Sequence, residues 1–247
     1  MLLILATLLI TSTLILALHQ PAQRLGLVDR PDARKQHAGA IPLTGGLAIT
    51  LGCTVSLVSF VQASHLYTLL LGMLALAALG ALDDRLNLGA KRRLCLQATI
   101  VWLVCWHTGV QINSLGNLLG TGELLLGIWA LPFSVFAIVG VINALNMIDG
   151  LDGLARGLAL VVTAALLFFS PNAEDSQVLL ILAGALLGFL CFNLRHPWRA
   201  KASVFLGDAG STTLGLVLGW FLLRYSQTEH TGGQHYPPAL ALWLLAA

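Results

Sequence analysis

Residues 123–170 read ELLLGIWALPFSVFAIVGVINALNMIDGLDGLARGLALVVTAALLFFS, two apolar runs joined by a polar hinge. The runs, roughly 123–142 and 154–170, have the composition of membrane spans. Lipid offers backbone groups no hydrogen-bond partner, so spanning segments are helices or closed barrels. No strand alternation accompanies these runs, and the reading is helical. Between them Asn143, Asn146, Asp149 and Asp152 recur every three positions, which puts near neighbours on one drifting face of a helix or tight helical turn. Gly150 and Gly153 let the backbone turn or approach a ligand closely. Amide and ionisable groups beside an apolar span are costly unless they bind something. The bland alternative is a capped turn between two helices.

Working outward, further apolar runs cover roughly 1–19, 43–63, 66–82, 94–108, 176–193 and 210–224, and a ninth begins after Pro237-Pro238 and is cut at Ala247. The expectation is an all-α, polytopic integral membrane protein of about nine transmembrane helices, the last truncated, forming a single domain over residues 1–247. Residues 1–19 lack a positive start and a small-residue cleavage site, so they read as an anchor rather than a signal peptide. Several runs fall short of the ~20 residues that cross a bilayer, so some apolar loop residues lie at membrane depth. Apolar residues make up 57% of the chain and charged residues 10%, with a mean hydropathy of +0.85. Soluble domains carry about 25% charged residues, so no separate soluble domain is expected. Cys53, Cys95, Cys105 and Cys191 sit inside apolar runs without metal or redox spacing and read as packing residues.

The net charge of +2 conceals an asymmetry. Numbering the gaps between runs alternately puts Arg24, Arg30, Arg34, Lys35, Arg85, Lys91, Arg92, Arg93, Arg156, Arg195, Arg199 and Lys201 on one side and Arg224 on the other. Lys and Arg collect on the cytoplasmic side, which predicts a periplasmic N-terminus. Asp29, Asp32, Asp83, Asp84, Asp149, Asp152 and Asp208 share the basic side; Glu123, Glu174, Asp175 and Glu229 lie opposite. Carboxylates gathered among cations at one mouth point to a charged substrate there.

Three more segments add to the hinge. The loop Asp29 to His37, with Arg34 and Lys35, runs into Ile41-Pro42-Leu43-Thr44-Gly45-Gly46, a turn that feeds the backbone closely into the next span. Asp83-Asp84 ends the third span, where the helix dipole disfavours carboxylates by ~0.3–1 kcal/mol. Two adjacent carboxylates repel as well. A divalent cation would relieve both penalties, as would Arg85, Lys91, Arg92 or Arg93. Asp208, in Phe205-Leu206-Gly207-Asp208-Ala209-Gly210-Ser211, enters the eighth span either as a cap or beside helix N–H groups that can receive phosphate. Asn193 and Arg195 close the seventh span with an amide and a cation. Hard oxygens of this kind suit Mg²⁺, with Mn²⁺ an alternative, rather than zinc.

Taken in order, Asp29 to Asp32 with Ile41 to Gly46, Gly80 to Arg85, Asn143 to Leu154 and Phe205 to Ser211 resemble the polyprenyl-phosphate N-acetylhexosamine-1-phosphate transferases. The likeness is closest to the branch that makes lipid-linked GlcNAc, and more distant to the muramyl-pentapeptide branch. It implies transfer of N-acetylhexosamine 1-phosphate from UDP-N-acetylglucosamine to undecaprenyl phosphate, with release of UMP, in the bacterial inner membrane. The implied pathway is O-antigen or a related envelope glycan. By the resemblance Asp208, Asp149 and Asp83 hold magnesium, and Asp83, Asp84, Asp149 and Asp152 are catalytic. Arg34, Lys35, His37, Asn143, Asn146, Asn193 and Arg195 bind substrate. No nucleic-acid partner is expected, and a homodimer stays open, as does covalent against direct attack. Two other classes remain in view. A transporter would carry its carboxylates near the bilayer midplane on interrupted helices. A truncated, inactive paralogue or fragment is the other, because family members continue through further spans and a His-rich loop.

Overall fold

The computed structural model describes residues 1–29, 40–61, 66–117, 122–149, 154–194 and 202–227. Its helices are α1 (Leu2–Leu25), α2 (Gly45–Phe60), α3 (Tyr67–Leu86), α4 (Ala90–Thr108), α5 (Ala130–Ile148), α6 (Leu154–Phe168), α7 (Ala173–Asn193) and α8 (Gly207–Ser226). The protein is an all-α polytopic membrane protein. Leu2–Leu25, Gly127–Ile148 and Ala173–Asn193 are each long and apolar enough by themselves to cross a membrane. The expected ninth span lies outside the described residues.

Two strands of two residues each, β1 (Val28–Asp29) and β2 (Ile41–Pro42), pair antiparallel with Val28 opposite Pro42. The sequence did not announce them, because two residues are too few to show alternation. The Pro42 carbonyl also accepts from Phe205 N–H at 2.9 Å, and Phe205 and Leu206 carbonyls accept from Gly45 and Gly46 N–H at 2.9 and 2.8 Å. The start of α2 is thereby tied to the start of α8.

Helix ends depart from the apolar runs for local reasons. α1 continues through Pro21, which forfeits only one backbone bond. It stops at Gly26, where φ reaches 74° and Leu27 N–H turns back to the Ala22 carbonyl at 2.9 Å. α5 begins at Ala130 rather than near 123 because the preceding segment folds on itself, with Leu115 N–H on Leu124 O and Leu124 N–H on Gly116 O. It then runs to Ile148, so Asn143 and Asn146 are helical. α3 likewise carries Asp83 and Asp84 inside its last turns.

At the centre stands α8, packed against α2, α3, α5 and α6. Every residue of this helix is buried except Asp208 near its start and Arg224 near its end. Association in lipid depends on close van der Waals packing rather than on burial from water, and small residues supply it. A Cβ at Gly46 would overlap the Gly210 backbone, so α2 and α8 cross main chain to main chain. α1 completes the bundle against α2 and α7.

Candidate active site

α3 ends where α8 begins, and that meeting builds the site. Both Asp84 carboxylate oxygens accept the Asp208 N–H, each at 3.1 Å. Asp84, not Asp208, thus occupies the free amide end of α8, and the positive end of the α8 dipole offsets the negative end of α3. Gly207 makes this fit. Its φ is +70°, which favours glycine, and a Cβ there would lie 2.7 Å from Asp84 Oδ2 and push that carboxylate from its place on the Asp208 N–H.

Asp83 turns inward. Its Oδ1 accepts Leu88 N–H at 2.7 Å, and its Oδ2 accepts Arg93 Nη1 at 2.8 Å. Among the four cations that follow Asp84 in the chain, Arg93 is the one that α4 places on this carboxylate, and its Nη1 also lies 3.5 Å from Asp208 Oδ2. From α5, Asn146 Nδ2 donates to Asp208 Oδ1 at 2.7 Å and to Ser211 Oγ at 2.9 Å. Asn146 therefore fixes which way Asp208 faces.

Asp149 follows directly on α5 and closes the ring from the other side. Its Oδ1 accepts Arg156 Nη2 at 2.8 Å. Arg156, buried on α6 with its guanidinium 5.6 Å from the Phe189 ring centroid, also donates from Nη1 to Asn193 Oδ1 at 2.6 Å. Asn193 Nδ2 in turn donates to the Val204 carbonyl at 2.8 Å. One guanidinium thus clasps the end of α5 to the end of α7. The Asp149 carboxyl is raised to about 6: burial drives the rise, Arg156 offsets part of it, and the nearby Asp208 charge adds to it.

The result is a carboxylate-rich mouth. Asp83, Asp84, Asp149 and Asp208 face two guanidiniums, Arg93 and Arg156, which leaves two formal negative charges among the described residues. Among those residues no three His, Cys, Asp or Glu side chains form a ready metal cage, so Asp208, Asp149 and Asp83 are not assembled as one. Asp83 is 4% exposed, with both oxygens engaged, whereas Asp208 and Asp149 are 29% and 17% exposed. Mg²⁺ keeps several waters and binds through one or two carboxylates plus substrate phosphates. Two outward carboxylates in a doubly negative mouth fit that ion.

Asn143 lies one helical turn before Asn146, and its amide donates to Val139 O at 2.8 Å and to Gln97 Oε1 at 3.3 Å. Asn193 acts on Arg156 and Val204, as described above. Arg34, Lys35, His37, Asp152 and Arg195 lie outside the described residues. Arg156 and Ser211 belong to the site but were not singled out from the sequence. For Arg156 the available signal was a lone cation inside an apolar run; for Ser211 there was none beyond its place in the Asp208 segment.

The model for glycosyl transferase family 4 matches residues 66–226, which hold Asp83, Asp84, Arg93, Asn146, Asp149, Arg156 and Asp208. The chain belongs to this family. It is 38% identical over 229 residues to an undecaprenyl-phosphate alpha-N-acetylglucosaminyl 1-phosphate transferase of Haemophilus influenzae, covering 91% of this chain and 64% of the relative. Proteins of the same name from Salmonella typhimurium and Escherichia coli K12 are 35% and 34% identical. Those matches cover 96% and 91% of this chain, and 65% and 61% of the relatives. The chain thus spans somewhat less than two thirds of the length of these relatives.

Proposed function

We propose that this family member transfers GlcNAc 1-phosphate from UDP-GlcNAc to undecaprenyl phosphate, releasing UMP at the cytoplasmic face of the bacterial inner membrane. The product would begin O-antigen or a related envelope glycan. One observation carries the reading: four aspartates from α3, α8 and the end of α5 converge at one mouth of an apolar bundle, where only two guanidiniums among the described residues pair with them. Donor diphosphate and lipid phosphate are both anionic, and their transfer chemistry depends chiefly on positioning and charge neutralisation. Asp208 and Asp149 would hold Mg²⁺, or Mn²⁺ in its place. The ion, when bound, would neutralise the donor diphosphate and stabilise the departing UMP.

The protein's own part is orientation. Asn146 aims Asp208, Arg156 holds Asp149, and Asp84 fixes the start of α8. Arg93 sits between Asp83 and Asp208, where it limits the repulsion of the cluster. In the transfer an oxygen of the lipid phosphate attacks the phosphorus that bears the sugar, and the bond between the two donor phosphates breaks. Because the acceptor is already anionic, direct attack is favoured over a covalent aspartyl intermediate. Arg34, Lys35, His37 and Arg195 are assigned to phosphate capture, and Asn143 to the nucleotide side. The aspartates lie at helix ends, which supports this reading over a transporter, whose ion sites sit near the midplane on broken helices.

The test is exchange of labelled UMP into UDP-GlcNAc by membranes carrying the full-length gene product, with and without undecaprenyl phosphate and EDTA. Lipid-dependent, EDTA-sensitive exchange is expected. Transfer from UDP-MurNAc-pentapeptide but not from UDP-GlcNAc would move the protein to the other branch, and full-rate exchange in EDTA would remove the metal.

A further inference from the structure

A groove of about 760 Å³ opens between the last turns of α1 and the end of α7. Its volume lies within the ~300–1,000 Å³ of ordinary ligand pockets. Ile15, Leu16 and Phe192 make its apolar half, while His19, Gln20 and Arg24 make the polar half. Leu16 is 65% exposed on a helix that is apolar enough to span a membrane, so this half opens to hydrocarbon. Arg24, exposed in the last turn of α1, lies beyond the apolar stretch at the level where headgroups begin. His19 Nε2 is in contact with Gln23 Nε2 at 3.2 Å, which steadies its ring about a turn and a half before Arg24.

The lining selects its occupant. A soluble anion would leave the apolar half unused, and a neutral apolar molecule would leave Arg24 and Gln20 without a role. Among the described residues no carboxylate lines the groove, and its one formal charge is the Arg24 cation, which favours an anionic headgroup over a zwitterionic one. An acyl chain joined to a phosphate with net negative charge satisfies both halves, and Arg pairs strongly with phosphate oxygens. None of the groove residues belongs to the carboxylate mouth.

We infer that this groove binds one anionic glycerophospholipid from the leaflet on the site's side of the membrane. Its acyl chain lies on Ile15, Leu16 and Phe192, and its phosphate lies on Arg24 beside His19. The bound lipid bridges α1 to the end of α7, one residue before Asn193, whose amide holds Arg156.

Native mass spectrometry of the purified full-length protein, titrated with phosphatidylglycerol, phosphatidylcholine or undecaprenyl phosphate, tests this. One phosphatidylglycerol should be retained in preference to phosphatidylcholine on the unaltered protein, a comparison that needs no variant. Arg24→Ala should weaken that retention about five-fold, the effect of one basic residue at an anionic lipid surface, and Arg24→Lys should restore most of it. Leu16→Trp should abolish retention by filling the groove while Arg24 remains. Equal retention of phosphatidylcholine overturns the proposal, and so does phosphatidylglycerol binding that neither Arg24→Ala nor Leu16→Trp changes. Displacement of phosphatidylglycerol by undecaprenyl phosphate, with both weakened by Arg24→Ala, would also overturn it and make the groove an acceptor seat. UMP exchange that stays intact in Arg24→Ala separates a failure here from a failure of the transferase reading.

Discussion

The two ends of α8 carry the two residues of that helix that are not buried, and they use charge in opposite ways. At the far end Arg224 Nε donates to Asp175 Oδ2 at 3.0 Å and its guanidinium lies 5.3 Å from the Trp220 ring centroid. Asp175 is fully buried, and Asn172, the cap of α7, accepts its N–H at 2.8 Å and donates to its carboxylate at 3.1 Å. Here Arg224 meets Asp175, and charge ties α8 to α7. At the near end Asp208 shares a cluster with three more carboxylates and two guanidiniums, and among the described residues the balance is negative. A buried pair of opposite charges is a structural joint, whereas an outward-facing surplus of one sign suits a ligand of the other. Asp175 and Asp208 are the same residue type on the same bundle, and only their surroundings separate the roles.

The sharpest way to break this comparison is to unpair the far end. Arg224→Met leaves Asp175 buried without its cation and should lower stability by about 3–5 kcal/mol. Thermal unfolding in detergent should show the loss, while the UMP exchange per folded molecule stays near that of the unaltered protein. A large fall in specific exchange with unchanged melting would invert the assignment.

At the near end the pattern should reverse. Asp208→Asn is expected to cut exchange by about 10²–10³-fold, the scale of a lost electrostatic contact to the reacting group, and to leave melting nearly unchanged. Removal of a surplus carboxylate relieves repulsion, so even a slight rise in melting temperature fits. A collapse in stability would show that Asp208 is as structural as Asp175.

Arg156 tests the boundary between the two kinds of end, because it is buried and paired yet holds a site carboxylate. Arg156→Met should cost about 10–100-fold in exchange, the usual range for a residue that orients a ligand. Its expected signature is a higher magnesium requirement for half-maximal exchange in the same membranes. An unchanged magnesium dependence would make it a packing residue only.

The smallest effect belongs to Gln227 at the far end, whose Oε1 accepts Asn113 and Ser114 N–H at 2.9 and 3.1 Å. Gln227→Leu should speed amide exchange in the described residues 113–117 and 122–126 and lower overall stability by no more than ~1–2 kcal/mol. Hydrogen exchange read by mass spectrometry checks this, and protection that does not change would show that the folded segment holds itself.

The sequence by itself determined the class of the molecule and picked out the aspartates that the fold gathers at one end of the bundle. Apolar runs bounded by polar hinges leave lipid no spanning solution here but helices, and Asp83, Asp84, Asp149 and Asp208 stand out because carboxylates are rare beside such runs. The family resemblance was legible for the same reason, since the motifs are islands in apolar sequence. What only the tertiary structure decided is which groups face one another across the bundle. Arg93 rather than Arg85, Lys91 or Arg92 meets Asp83; Asp84 rather than Asp208 covers the start of α8; and Arg156, one cation within α6, reaches both Asp149 and Asn193. These choices depend on helix rotation and crossing, set by main-chain contacts such as Gly46 on Gly210. Spacing along a chain fixes which residues share one helical face. It leaves open which face of another helix they meet, because that is settled by packing between residues far apart in sequence.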